Sequence, residues 1–280
     1  MKTAIVTDST VYLPIEIRER YNIHIVPLSV HFNDETFEEE VTLTVEQFYE
    51  KVHTSKHYPK TAQPSIGKFV ELYERLAKDY DEIVAIHISS GISGTYSSAL
   101  QAAQMVDDVK VYGFDSGVAS GPLASYVVEA AKLAVNGASA TQILARLEDL
   151  QPTLEAYFIV DDLIHLQRGG RLSMTSALIG SLLQIKPLLH MKDKKIAVFE
   201  KVRTHNKALH RVEEILHQAV EKHGELQAVV MHANCEQQGR AWMEKLQSTY
   251  PTVDFTLAYF GPVLATHLGE GSLALSWMKK

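Results

Sequence analysis

The chain has 280 residues, of which 46% are hydrophobic and 22% are charged, so it can form one large globular domain or two of ordinary size. Its 27 Lys and Arg residues and its 34 Asp and Glu residues give a formal net charge of −7. Because a general nucleic-acid-binding protein needs a basic face, this balance argues against nucleic acid as a partner.

The predicted location is cytoplasmic. No run of residues is apolar for long enough to cross a bilayer, and the first three residues lead into a predicted strand rather than a signal peptide. Cys235 is the only cysteine, which excludes an internal disulfide and a cysteine-based zinc site and suits a reducing compartment. The histidines lack the HExxH spacing, and we predict no metal site.

The first half of the chain predicts alternating strands and helices. Polar residues, mostly Asp and Ser, follow directly after the predicted strands, and residues 33–40 are predicted to be a solvated acidic excursion. The predicted strands and extended segments cover residues 3–6, 23–32, 83–88, 109–114 and 154–160. The predicted helices cover residues 14–21, 45–53, 66–79, 96–106, 118–135 and 141–150.

This alternation is typical of a parallel sheet with helices on both faces. Such a sheet binds its ligands at the carboxyl ends of its strands, where the Asp and Ser residues of this chain lie. We therefore predict an α/β domain over residues 1–160.

Residues 83–99 have the strongest local signal for a binding site. A buried strand is followed by a turn of Gly and hydroxyl residues, Ser89 to Thr95, and then by a helix. This arrangement directs backbone N–H groups and hydroxyls at one point, where an anion is the natural ligand. The alternative is an ordinary turn in which Ser93 caps the helix.

The sequence Gly91-Ile92-Ser93-Gly94-Thr95 also resembles the GxSxG nucleophile elbow of serine hydrolases, except that Thr95 replaces the final Gly. A hydrolase also needs a histidine and an acid placed for Ser93, which the sequence cannot show. A serine acyl hydrolase therefore stays an alternative.

The second half of the chain predicts a mixed sheet. Residues 185–191 and 196–202 are predicted to form a hairpin, which is followed by a helix, a strand, a helix and a strand over residues 207–223, 226–232, 237–248 and 255–259. A glycine-rich loop over residues 261–269 and a last short helix complete the prediction. We predict an α/β sandwich over residues 161–280.

Three features of this half have competing interpretations. Arg168 and Arg171 flank two glycines and could bind phosphate, or they could be solvated charges on a turn. Arg203 at a strand end is usually a surface ion-pair partner, and a lone histidine such as His267 is usually structural. The apolar segment 173–189, with its small residues, is more often core than a ligand tunnel.

Taken in order, several motifs of the chain resemble those of the DegV family of fatty-acid-binding proteins. The family includes the fatty-acid-binding subunits of bacterial fatty acid kinase. The matching segments are residues 7–10, 61–65, 89–99, 115–116, 166–173, 186–187, 202–204 and 261–269. The chain departs from the family pattern at Ala62, where the family usually has Ser, and at Ala265, Leu268 and Glu270.

The resemblance implies the two-domain DegV-like (EDD) fold. A parallel Rossmann-like domain over residues 1–160 and an α/β sandwich over residues 161–280 would hold a fatty acid in a tunnel between them, with residues 57–80 packing near the second domain. The candidate tunnel residues are Leu178, Ile179, Leu182, Leu183 and Ile185.

The resemblance also implies the site and its partners. The fatty acid carboxylate would bind at Thr61, Ala62, Ser93 and Gly94, within reach of Arg203 and His267, and either Arg203 or a protonated His267 would compensate its charge. Arg168 and Arg171 resemble the part that meets an ATP-dependent kinase subunit. The protein would be a carrier rather than an enzyme, with no cofactor other than a bound acid such as palmitate, stearate or oleate.

The kinase subunit would convert the bound acid to an acyl phosphate for phospholipid synthesis, and loading could involve peripheral contact with a membrane. A regulatory domain that binds no lipid is the remaining alternative.

Overall fold

A computed structural model describes residues 2–172 and 186–280 of the chain. It divides into two compact units. The first unit contains Met1–Ala119 and Leu123–Pro152, and the second contains Ser120–Pro122 and Thr153–Lys280. Residues 57–80 belong to the first unit.

The first unit is built from short strands and amphipathic helices. Its strands are β1 (Thr3–Asp8), β2 (Ile23–Val26), β3 (Ser29–Phe32), β4 (Glu35–Glu38), β5 (Lys60–Ala62), β6 (Glu82–His87) and β7 (Lys110–Asp115). Its helices are α1 (Ile15–Arg20), α2 (Val45–Thr54), α3 (Ile66–Leu76), α4 (Thr95–Ala103), α5 (Gly121–Val135) and α6 (Ala140–Leu150), with the first residues of α5 assigned to the second unit.

A parallel sheet forms the core of the first unit, in the strand order β2-β1-β6-β7. Every residue of β1 and of β6 is buried, as expected for strands covered on both faces. Helix α3 packs on one face through an apolar stripe at helical spacing, and each buried side chain of that stripe contributes about 1.5–3 kcal/mol. The stripe consists of Phe69, Leu72, Tyr73 and Leu76.

A second, antiparallel sheet in this unit has the order β4-β3-β5. Residues 33–36 are exposed, as predicted for a solvated excursion over residues 33–40, but β4 lies within that segment and Glu39 is fully buried, which corrects the prediction at that residue. Ser9 Oγ and Tyr12 Oη donate to the Glu39 carboxylate at 2.5 and 2.9 Å, which offsets the cost of burying its charge. Acidic composition alone gave no sign of these hydroxyl partners.

The second unit has a mixed sheet in the order β10-β9-β8-β13-β11-β12. Its strands are β8 (Glu155–Ile159), β9 (Lys186–Lys192), β10 (Lys195–Val202), β11 (Leu226–His232), β12 (Asp254–Tyr259) and β13 (Leu273–Lys279). Its helices are α7 (Ile164–Gly169), α8 (His205–His223), α9 (Glu236–Thr249) and α10 (Pro262–Leu268).

The predicted hairpin is confirmed. Strands β9 and β10 pair antiparallel, and the two residues between them, Asp193 and Lys194, both have positive φ (48° and 66°). Two successive residues with positive φ form the type of turn that matches the twist of a hairpin.

Three further predicted elements differ from the structure. The glycine-rich loop predicted over residues 261–269 is largely helix α10. Strand β8, which we predict in the first domain, pairs with β9 and β13 and therefore belongs to the sheet of the second unit. The predicted last helix is strand β13, whose residues from Leu273 to Met278 are all buried. A strand buried on both faces has no alternation of polar and apolar residues, so its sequence is ambiguous between helix and strand.

The predicted fold class, a parallel α/β domain followed by a mixed-sheet α/β domain, is confirmed. No helix within residues 2–172 or 186–280 is both long and apolar enough to cross a bilayer.

Candidate functional site

The loops around Thr61 and Ser93 meet in the first unit. Thr61 lies in β5, which pairs with β3, and Gln63 follows it. The Gln63 Nε2 donates to Ser98 Oγ in α4 at 2.7 Å, and its side chain lies so close to Gly94 that a Cβ there would collide with it. The structure therefore brings the predicted residues Thr61, Ala62, Ser93 and Gly94 into one region.

Ser93 lies at the beginning of α4 and is partly exposed. Its Oγ accepts from Thr95 N at 3.3 Å and shares a hydrogen bond with Thr95 Oγ1 at 2.8 Å. The residue at the cap position is Gly94, one residue later than predicted, although the Ser93 hydroxyl still satisfies a backbone N–H of the first turn. Hydroxyls and N–H groups are thus concentrated at this helix end, which suits an anion.

No histidine hydrogen-bonds to Ser93 in the described part of the first unit, where its side-chain partner is Thr95. A serine nucleophile needs a base within about 2.6–3.2 Å of its hydroxyl. The geometry within this unit gives no support to the hydrolase alternative.

A buried carboxylate from the motif over residues 7–10 holds the strand ends beneath this loop. Asp8 ends β1 and His87 ends β6, and both side chains are completely buried. His87 Nδ1 and Ile88 N donate to Asp8 Oδ2 at 3.0 and 2.9 Å. The Asp and Ser residues at predicted strand ends were a general signal for such a role, but the partner of Asp8 depends on strand order.

Asp115, at the end of β7, holds the same loop from its other side. Its Oδ1 accepts from Ser90 N at 3.1 Å and from Gly117 N at 3.2 Å. The neighbouring Ser116 Oγ donates to His87 O at 2.7 Å. The ends of three adjacent strands therefore jointly fix the loop that begins at Ser89.

Arg203 belongs to the second unit. It is exposed, directly follows β10, and precedes Thr204, whose side chain caps α8 by accepting from Lys207 N at 3.3 Å. A groove of about 640 Å³ beside it is also lined by Lys201 and Lys207 and by Arg211, which pairs with Glu200 and Glu214 in the same lining.

His267 lies in α10 and is 8% exposed. Burial, followed by electrostatic repulsion from Arg171 and His165, lowers the pKa of His267 from its usual 6.5 to about 4. This corrects the expectation that His267 titrates near neutrality and carries a positive charge, because the structure favours its neutral form at pH 7.

Helices α7 and α10 pack through a reciprocal pair of glycine and histidine contacts. The His267 ring lies against Gly169, where a Cβ would collide with Nδ1, and the His165 ring lies against Gly269, where a Cβ would be 2.9 Å from Cδ2. Arg171 folds back to donate to Gly169 O. Arg171 is thus half-buried and close to His267, whereas Arg168 is exposed.

Two groups of predicted site residues are not placed beside the Thr61 and Ser93 loops by the structure. Arg203 and His267 are in the second unit, so their approach to the Thr61 and Ser93 loops stays a prediction. The candidate tunnel residues Leu178, Ile179, Leu182, Leu183 and Ile185 lie outside the described residues. Within residues 2–172 and 186–280, no cluster of three or more His, Cys, Asp or Glu side chains is arranged to hold a metal ion.

Comparison with known proteins supplies the family. A family profile described as "Uncharacterised protein, DegV family" matches residues 2–280. Protein DegV of Bacillus subtilis (strain 168) is 49% identical over 281 residues and covers 100% of both chains.

Solved structures agree with this match. The crystal structure of DegV, described as a fatty acid binding protein from Bacillus subtilis, has a TM-score of 0.95 at 49% identity, with 100% of each chain covered. The fatty acid binding DegV family protein SAG1342 from Streptococcus agalactiae has a TM-score of 0.93 at 33% identity, covering 100% of this chain and 99% of that one. The chain therefore belongs to the DegV family.

Proposed function

We propose that the protein binds one long-chain fatty acid and presents its carboxylate to a separate, ATP-dependent kinase subunit. The observation that carries this proposal is the full-length similarity to solved DegV proteins described as fatty acid binding, at 49% identity and a TM-score of 0.95 in one case. The local geometry at Ser93 supports the same ligand class.

The carboxylate end of the ligand fits the hydroxyl-rich loops. A carboxylate that leaves water needs hydrogen-bond donors, and Ser93, Thr61 and the N–H groups at the start of α4 offer them. The guanidinium of Arg203 carries a permanent charge and is the cation that we assign to the ligand, since His267 is neutral at pH 7.

The acyl chain supplies the affinity. Burial of apolar surface contributes about 0.8 kcal/mol for each methylene, so a chain of palmitate length offsets the cost of ordering the ligand. We assign the tail to the segment that contains Leu178, Ile179, Leu182, Leu183 and Ile185, as the family resemblance implies.

In the coupled reaction the kinase subunit performs catalysis and the protein acts as a carrier. Formation of an acyl phosphate adds negative charge at the carboxylate, and nearby cations stabilise such charge in a transition state. We therefore assign Arg171 and Arg168 to the region that meets the kinase subunit. The acyl phosphate would feed phospholipid synthesis in the cytoplasm, with loading at a membrane surface.

Native mass spectrometry of the purified protein tests the binding step. We expect one bound acid of 14–18 carbons, the range that the family resemblance implies, or stoichiometric uptake of added palmitate or oleate. Protein that carries no lipid and takes up neither acid would overturn the proposal in favour of a lipid-free regulatory domain.

Covalent labelling tests the hydrolase alternative. A fluorophosphonate probe reacts with an activated serine, so labelling at Ser93 would support a hydrolase, and we expect none.

A further inference from the structure

Asp8 makes an unusually complete set of hydrogen bonds for a side chain without solvent contact. Its Oδ1 accepts from Thr10 N at 3.1 Å and from Thr10 Oγ1 at 2.5 Å. Its Oδ2 accepts from His87 Nδ1 at 3.0 Å and from Ile88 N at 2.9 Å. Oδ1 thus accepts hydrogen bonds from Thr10, just beyond the end of β1, and Oδ2 accepts hydrogen bonds from residues at the end of β6.

The carboxylate also fixes the orientation of the His87 ring. Because an ionised carboxylate only accepts, His87 Nδ1 must be the protonated nitrogen that donates to it. The ring is held from another side by Phe69, in an edge-to-face contact with centroids 5.2 Å apart. His87 Nε2 is buried and has no hydrogen-bond partner among the described residues, so the Asp8 contact is the polar anchor of this ring.

A short series of backbone hydrogen bonds leads from this anchor to Ser93. Ile88 N is bound by Asp8, and the next residue, Ser89, donates its N–H to Val118 O at 2.8 Å. Ser89 O then accepts from Ile92 N and Ser93 N, both at 3.1 Å. The position of Ser93 is therefore set by Ser89, and Asp8 holds the entry into Ser89 from the side of β1, while Asp115 holds the loop from the side of β7.

We propose that Asp8 is a positioning residue for ligand binding, which acts through His87 and Ile88 to hold the loop over residues 89–93 in its binding geometry. The inference rests on the proposed function, because the ligand is the fatty acid carboxylate. Asp8 does not touch the ligand in this proposal. By holding the loop in one conformation before the carboxylate binds, Asp8 reduces the conformational entropy that is lost on binding.

The substitution Asp8→Asn tests the proposal with almost no change in shape. An amide keeps one acceptor oxygen, and its NH2 group must face either the Thr10 donors or the His87 and Ile88 donors. One of the two strand ends therefore loses its anchor. We expect the fatty acid affinity to fall about tenfold, measured by titration well below the melting temperature of the variant.

Glu82→Gln is the matched control. Glu82 is a buried carboxylate at the start of β6, at the opposite end of that strand from His87, and it accepts from Ala140 N at 2.9 Å and from Tyr112 Oη at 3.2 Å. We expect both variants to lower the melting temperature, and only Asp8→Asn to weaken binding. Equal affinities for Asp8→Asn and the wild type would overturn the inference.

A double-mutant cycle separates positioning from a general loss of stability. If Asp8 acts through the loop, the affinity loss of Asp8→Asn with Ser93→Ala is smaller than the product of the two single losses. The cycle of Glu82→Gln with Ser93→Ala should be multiplicative. Multiplicative losses in both cycles would assign Asp8 a structural role only.

Variants of His87 provide a second test in case Asp8→Asn does not fold. In His87→Asn, the amide nitrogen takes the place of Nδ1 and retains the donor to Asp8, whereas His87→Leu removes it. We expect His87→Asn to bind more tightly than His87→Leu, and equal binding would contradict the inference. Wild-type protein that binds no fatty acid would instead refute the proposed function itself.

Discussion

Ser93 combines two roles that a single hydroxyl can perform. It satisfies a backbone N–H at the start of α4, and it leaves a partly exposed oxygen at a helix end that attracts anions. A residue used only as a cap would leave ligand binding unchanged when it is removed, so binding and stability separate the two roles.

For Ser93→Ala we expect a loss of about 1–2 kcal/mol in fatty acid binding, because a charged acceptor loses one donor while the backbone N–H groups remain. Ser97→Ala is the matched control, since Ser97 is exposed on the next turn of the same helix and only accepts from Gln101 Nε2. Isothermal titration with palmitate measures both. An equal affinity for Ser93→Ala and Ser97→Ala would place the carboxylate elsewhere.

His267 makes the stability of the protein depend on pH. Its pKa is about 4 in the folded state and near 6.5 in an unfolded chain, so between these values the unfolded chain binds more protons. Stability therefore falls as the pH falls from 7 towards 4. From pH 7 to pH 5 we expect a loss of about 1–2 kcal/mol from this group.

Urea unfolding of the wild type and of His267→Gln at both pH values isolates this contribution, because the two proteins share every other titratable side chain. The wild type should lose more stability than the variant on acidification. The same pH dependence in both proteins would show that His267 does not titrate in this range.

At the scale of elements, the contact between α7 and α10 depends on two positions without a side chain. Gly169 and Gly269 each receive the ring of a histidine from the other helix. Sequence patterns identified both glycine-containing segments as family motifs, but they could not show that the two segments face each other. This pairing depends on tertiary packing, and no local periodicity encodes it.

Gly169→Ala should destabilise the protein by about 1–3 kcal/mol, because the new Cβ would displace the His267 ring from its contact. Gly67→Ala is the opposite case: this exposed residue of α3 has only Ser65 Oγ at 4.0 Å from a Cβ, and alanine should stabilise the helix by about 0.5–1 kcal/mol. Chemical denaturation measures the change in the free energy of unfolding for each variant. A neutral Gly169→Ala would mean that the ring moves without cost.

Element prediction succeeded where the signal is local and failed where it depends on partners. The helices predicted over residues 45–53 and 141–150 are present as α2 and α6, whose first turns are held by capping boxes at Thr44 and Ser139. The hairpin turn at Asp193 and Lys194 follows from a short polar segment between strands. By contrast, β13 was predicted as a helix, since its burial on both faces leaves no periodicity to read. Glu39 was predicted to be solvated, because its hydroxyl partners come from a distant segment.

At the scale of the whole molecule, the composition and the order of elements were sufficient for the fold class. The site was predicted less completely. Thr61 and Ser93 were predicted together and lie in one region. Asp8 lies in the predicted motif over residues 7–10, but its partner His87 could not be predicted, because strand order brings the two side chains together. Arg171 was grouped with Arg168, but the structure places it beside His267.

This difference between the two arginines gives a test of the kinase partnership. Arg171→Ala should leave fatty acid binding intact and lower acyl phosphate formation at least about tenfold with the kinase subunit present, because a cation near the reacting end is lost. Arg168→Ala tests the exposed arginine of the same motif, which we assign to the same kinase-facing region. Measuring lipid affinity and coupled rate on each variant separates binding from transfer. An unchanged coupled rate for Arg171→Ala would return this arginine to a structural role.

The position of β13 in its sheet has a consequence for biosynthesis. It lies between β8 and β11, and residue Leu273 pairs with Ile159, so the chain must span more than half of the second unit before this pairing forms. A ribosome delivers β8 and β11 well before β13, and until then each has an unpaired edge. We expect nascent chains stalled before residue 273 to be cleaved rapidly by added protease in the second unit and to be protected once β13 has emerged, so the folding of this unit waits for its last strand.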